Sequence, residues 1–195
     1  MMPSEMAECS ASNGFAEPMA LVVFLRGVNV GGHRTFRPTK LVEALKHLDA
    51  VNIGAAGTLV IRRPITQARA RAEVARVLPL VAEIVVCQSR DVLNLLTDDP
   101  FAGKKLAPDV VRFVSVLSRV PRVAPSIPTQ LPSSGRWLMK IIARRKRFVF
   151  GMYRRNMKVI GYLGQLDRLY GVPATTRNWN TITKIAGVLR NDLPE

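Results

Sequence analysis

The chain has 195 residues, 48% of them apolar, and a net charge of +15. That length and composition suit a globular fold with its own core and exclude a disordered or fibrous chain. Two cysteines (Cys9, Cys87) and two histidines (His33, His47), with no Cys/His cluster between them, predict neither a disulfide framework nor a metal site.

No apolar run reaches the roughly 20 residues of a membrane span. The expectation is a cytoplasmic protein without membrane partner or cofactor. Residues 1–19 carry Glu5, Glu8 and Glu17 and no Lys or Arg, so they read as a flexible extension rather than a signal peptide.

Ala20 to Arg26 is a valine-rich apolar run, the pattern of a buried strand. A glycine-containing loop, Gly27 to Phe36, leads to a helix from Pro38 to about Leu48 with Leu41, Leu45 and Leu48 on one face. Val51–Ile53 and Thr58–Ile61 read as strands joined by Gly54 to Gly57. A helix is expected from Pro64 to Leu78, then a strand from Ala82 to Gln88, then a short helix capped by Ser89. That order over residues 20–108 predicts an α+β fold with a ferredoxin-like βαββαβ first lobe.

Residues 109–195 predict a second, smaller α+β lobe. Val110 to Ser118 reads as a strand, and the proline-rich stretch Arg119 to Gly135 as an irregular connection. Trp137–Ala143 and Phe148–Tyr153 form a basic hairpin turning at Arg144 to Arg147. A short helix, Ile160 to Tyr170, closes at Gly171, and a last helix is expected to open near Thr176.

Two segments carry a family resemblance: Leu25 to Gly32 (LRGVNVGG) and Thr175 to Thr181 (TTRNWNT), with Asp99-Pro100-Phe101 between them. With these motifs the chain resembles the bacterial family known as domain of unknown function 1697, from about Ala20 to Leu189. The resemblance implies an α+β protein with a ferredoxin-like first lobe and no established activity. Members usually carry Tyr-Ile-Gln-Ser-Gly-Asn before the third strand. Here the stretch is Ile53-Gly54-Ala55-Ala56-Gly57-Thr58, which keeps the glycine and lacks the Gln-Ser pair.

The charge is uneven: residues 110–166 hold 12 basic side chains and no acidic one. Such a field attracts polyanions. Two groups of residues could receive them. The first is an anion pocket of Arg26, Asn29, Arg34, Arg177, Asn178 and Asn180, from loop amides, a helix start and planar cations. Its plainer reading is a glycine turn plus a capped helix. The second is the hairpin, with Lys140, Arg144, Arg145, Lys146, Arg147, Arg154 and Arg155 among Trp137, Phe148, Phe150 and Tyr153. Cations meet phosphates and aromatics stack on bases, or the rings point to the core by strand alternation.

Val23 to Val28 also resembles the first-strand motif of RNA-recognition domains, but Thr58–Ile61 lacks the aromatics those domains need, so Phe24 reads as core. The leading expectation is a basic binding module for an anionic partner, nucleic acid foremost. The alternative is an enzyme acting on a small phosphorylated or carboxylated substrate in a pocket of the two motifs, with His33 as proton carrier.

Overall fold

The structure, a computed structural model, describes residues 20–28, 37–103 and 105–190. The N-terminal extension and most of the glycine loop, with Asn29, His33 and Arg34, lie outside the described residues.

The first sheet contains β1 (Leu21–Arg26), β2 (Ala50–Asn52), β3 (Thr58–Ile61) and β4 (Glu83–Gln88), in spatial order β2-β3-β1-β4. Every pairing is antiparallel. Helix α1 (Pro38–Ala44) follows β1, and α2 (Gln67–Val77) joins β3 to β4. Strand β1 is central and covered on both faces, hence its unbroken apolar run. Its odd residues Leu21, Val23 and Leu25 pack under α1 and α2 with Leu41, Leu45, Ala70 and Val74.

The even residues Val22 and Phe24 face the other way, into a core shared with the second sheet. That sheet contains β5 (Val110–Leu117), β6 (Thr129–Leu131), β7 (Met139–Arg145), β8 (Phe148–Arg154) and β9 (Ala174–Asn178), in order β6-β7-β8-β5-β9. It is also antiparallel throughout. Helices α3 (Ser89–Thr97) and α6 (Trp179–Arg190) fill the shared core with Val92, Leu95, Trp179, Ile182 and Ile185. The outer face of the second sheet is closed by α4 (Val159–Gly164) and α5 (Leu166–Tyr170), through Leu166 and Tyr170. Among the described residues no helix is long and apolar enough to cross a membrane.

Several boundaries differ from expectation, each for a local reason. Helix α2 begins at Gln67 rather than Pro64, because the Thr66 hydroxyl accepts from the Arg69 amide and sets the cap there. Ser89 is the first helical residue and buried, not a cap. The first helix stops at Ala44, and Lys46–Leu48 follows as a separate 3-10 turn. The proline-rich connection contributes an edge strand, β6, paired to β7. Thr175 to Asn178 is not helical. It pairs with β5 as β9, and the last helix starts at Trp179.

Candidate anion-binding site

The junction of β9 and α6 builds a cleft. Asn178 ends the strand, and its Oδ1 accepts from both the amide and the hydroxyl of Thr181, each at 2.9 Å. This caps a helix of 12 residues whose free amides and dipole leave a positive end. Trp179, the first helical residue, turns inward and meets Phe101 edge-on at 5.1 Å. Asn180 stays exposed. Around this start lies a cleft of about 350 Å³, lined by Arg112, Arg155, Asn178, Trp179 and Asn180 with Leu106 and Val110. Neither Arg112 nor Arg155 has a carboxylate partner among the described residues. Arg112 instead stands 5.8 Å over the Phe101 ring.

The cleft therefore joins residues from both expected groups, Asn178 and Asn180 from one and Arg155 from the other. Arg112 escaped the sequence reading. The signal was a lone cation inside the apolar run Val110–Leu117, which strand alternation places on one face with Val110 and Val114.

Arg177 lies elsewhere. It is buried, 7% exposed, and points from β9 across to the first sheet. Its Nε donates to Thr58 Oγ1 at 2.7 Å, and its Nη2 to the carbonyls of Leu25 at 2.7 Å, Ala56 at 2.6 Å and Gly57 at 3.2 Å. Nη1 donates to its own neighbour, the Thr176 carbonyl, at 2.9 Å. Among the described residues no carboxylate pairs with it. Burial pushes the guanidinium down to about 10, still charged at neutral pH. The two motif segments and the turn Ala56–Thr58 thus converge on one side chain, whose donors are taken by the protein itself.

Arg26 sits at the surface. Its Nε donates to the Ala174 carbonyl at 3.1 Å, and its Nη atoms pair with Asp167 and Glu83. So the two motif segments do touch, through Arg26–Ala174 and Arg177–Leu25. Neither Arg26, which borders a separate surface hollow, nor the buried Arg177 is among the residues lining the cleft with Asn178 and Asn180.

The hairpin cations divide. Arg147 donates to the carbonyls of Leu117 at 2.8 Å and Val86 at 3.3 Å, stapling the two sheets. Arg145 pairs with Asp98 at 2.5 Å, and Arg154 with Asp109 at 2.6 Å. The hydrogen bond from Arg154 holds the Asp109 carboxyl below its ordinary range, against a smaller opposing effect of burial. Arg144 donates to the Lys146 carbonyl in the turn at 2.7 Å. Lys140 and Lys146 make no ion pair among the described residues. Phe148 and Phe150 are core residues, as alternation allows, because they share the inward face of β8. Trp137 is half-buried, with the Arg154 guanidinium 4.4 Å and the Lys140 ammonium 4.9 Å from its ring centre.

Cys87 is buried, and desolvation pushes its thiol up to about 11. Thiolate is the nucleophile, so native Cys87 should resist iodoacetamide at pH 8 and react once urea unfolds the chain. Peptide mapping by mass spectrometry checks this, and rapid native labelling of Cys87 would contradict the placement. Among the described residues no group of three His, Cys, Asp or Glu side chains could hold a metal ion.

A family model described as "Protein of unknown function (DUF1697)" matches residues 19–127. Among solved structures, the chain is similar to the conserved bacterial protein SP0830 from Streptococcus pneumoniae, with a TM-score of 0.60. Identity is 16%, and the match covers 87% of this chain and 98% of that one, a likeness of fold. No curated protein matches the chain. With more than half of its length matched by the family model, the chain belongs to the DUF1697 family of proteins of unknown function.

Proposed function

We propose that this protein is a binding module for an anionic partner, nucleic acid foremost, with a backbone phosphate seated in the cleft at the start of α6. The observation that carries the reading is the cleft itself: two arginines without carboxylate partners among the described residues, two asparagines and a capped helix start around one opening. Phosphate oxygens are satisfied by that donor set, charge-assisted and partly planar. Lys140, Arg144 and Lys146 on the hairpin extend the positive surface along which a polymer would run, while Arg154 is held by Asp109. The scaffold reading extends with it: the βαββαβ order and the strand order β2-β3-β1-β4 support a ferredoxin-like first lobe over residues 20–108. Residues 109–195 then form a second lobe carrying the binding surface.

The enzymatic alternative, a small phosphorylated or carboxylated substrate in a pocket of the two motifs with His33 as proton carrier, rests on a residue outside the described ones. The described residues that line the α6 cleft are donors and apolar groups, with no His, Cys, Asp or Glu among them, a set suited to holding an anion.

Fluorescence anisotropy tests the reading, with labelled single-stranded RNA, double-stranded RNA and duplex DNA across a salt series. One polymer should be preferred, with affinity falling steeply as salt rises. The Arg112→Ala/Arg155→Ala double variant should flatten the log–log salt slope by about one unit per arginine. Lys46→Ala, exposed and remote from the cleft, should leave the slope alone. Equal weak binding of all three polymers, with the same slope in the double variant, would reduce the charge to nonspecific attraction and end the proposal.

A further inference from the structure

A second hollow, of about 640 Å³, lies on the first sheet's outer side, away from the α6 cleft. Its walls follow from local chemistry. The 3-10 turn Lys46–Leu48 and the exit of β3 are pinned together. The Arg63 amide donates to the Leu48 carbonyl at 3.2 Å, and the Arg62 amide to the Asp49 carbonyl at 3.3 Å. Thr66 then caps α2, which fixes Arg69 and Glu73 one turn apart on the face turned to the hollow. Leu48, Pro64 and Ile65 supply an apolar lining, while His47, Arg63, Arg69 and Glu73 supply the polar groups. Apolar walls with a few convergent polar side chains, in a volume of roughly 300–1,000 Å³, are the usual build of a small-ligand site.

The charges are not balanced inside it. Glu73 is already engaged: its Oε2 accepts from Arg76 at 2.9 Å and lies 3.7 Å from His47 Nε2. That hydrogen bond from Arg76 holds the Glu73 carboxyl below its ordinary range. Arg63 and Arg69 have no carboxylate partner among the described residues. Two planar cations and a histidine thus border a hollow whose one carboxylate, Glu73, is shared among Arg76, His47 and the more distant charge of Arg69, which leaves positive charge in excess. Planar guanidinium forks match phosphate oxygens bidentately.

We infer that this hollow is a second, independent binding site for a phosphomonoester, free or at the end of a strand. Arg63 and Arg69 grip the phosphate, and His47, steadied by Glu73, borders it. The site shares no residue with the cleft of the proposed function, so either can fail alone.

Proton NMR of the histidine rings tests it directly. The chain has two histidines, His33 and His47, so the His47→Gln variant assigns the signals. The intact protein is titrated with inorganic phosphate at constant pH and ionic strength. The His47 ring resonance should move saturably. In Arg63→Gln/Arg69→Gln the half-saturating concentration should rise at least ~10-fold, the expected loss of two charge-assisted contacts. Both arginines are exposed, so this variant should keep its urea midpoint. Arg112→Ala/Arg155→Ala should leave the phosphate response unchanged. A paired arm compares 5′-phosphorylated and 5′-hydroxyl forms of one oligonucleotide. Tighter binding of the phosphorylated form than of inorganic phosphate assigns the ligand to a strand end; equal or weaker binding assigns it to a small molecule. No saturable movement with either probe, or the same movement in the Arg63/Arg69 variant, would overturn the inference.

Discussion

Arg177→Ala is expected to lower stability by about 3 kcal/mol or more, read as a fall in the urea midpoint with little change in slope. The guanidinium donates to two buried acceptors in this corner, the Thr58 hydroxyl and the Leu25 carbonyl, each at 2.7 Å. Removing it strands buried acceptors, and each stranded group costs about 1–3 kcal/mol. Some of that loss is softened, because the Gly57 carbonyl also accepts from the Leu25 amide at 2.7 Å. Arg177→Lys should recover only part of the stability. A lysine ammonium keeps the charge but is a single donor centre, whereas Arg177 spreads its bonds over five oxygens in three segments. A side chain whose main task was to hold an outside anion would behave in the opposite way. Its alanine variant would keep the midpoint and lose ligand. Unchanged stability in Arg177→Ala would therefore return this residue to the list of ligand contacts.

Gly57→Ala should cost about 2–5 kcal/mol, from two independent sources. Gly57 has φ +68°, a left-handed conformation that an L side chain resists by about 1–2 kcal/mol. A Cβ there would also stand 2.6 Å from Val28 Cγ2 and 2.9 Å from Leu25 Cβ, closer than carbon atoms tolerate. Overpacking of that kind adds about 1–3 kcal/mol. Relief would have to move β1 or β3, and both hold acceptors of Arg177. Gly57→Ala and Arg177→Ala should therefore couple. In a double-mutant cycle, the pair should destabilise by less than the sum of the singles, by at least ~0.5 kcal/mol. Additivity would mean that the glycine turn and the arginine act separately. Gly54, with φ +96° and open space around its missing Cβ, is the control for conformational strain without the clash.

Much of the architecture was legible because it rests on periodicity. The apolar run Leu21–Leu25 has no polar alternation, and that is what a central strand covered on both faces requires. Phe148 and Phe150, two apart, had to share a face, and that face is the core. The strand at Thr175–Asn178 was not legible. Thr-Thr-Arg-Asn ahead of an amphipathic helix reads as a helix start, since each residue can cap or contact a dipole. It is a strand because β5 offers it a free edge, a partner 60 residues earlier in the chain.

That same misreading governed the candidate site. As a helix start, Arg177, Asn178 and Asn180 would all fall in the first turn, at one helix end. As a strand that ends at Asn178, alternation sends Arg177 across to the first sheet and leaves Asn178 at the mouth of the cleft. Arg145, Arg147 and Arg154 look alike in a basic run. Which of them is occupied depends on where Asp98, the Val86 carbonyl and Asp109 arrive from other segments. The sequence by itself determined the class of fold, the concentration of positive charge in residues 110–166 and the strands and helices whose apolar period is strong. The tertiary structure alone decided which cations remain free to meet a partner. Periodicity is a local property, while the pairing of a charge or the burial of a guanidinium is settled by neighbours distant in the chain.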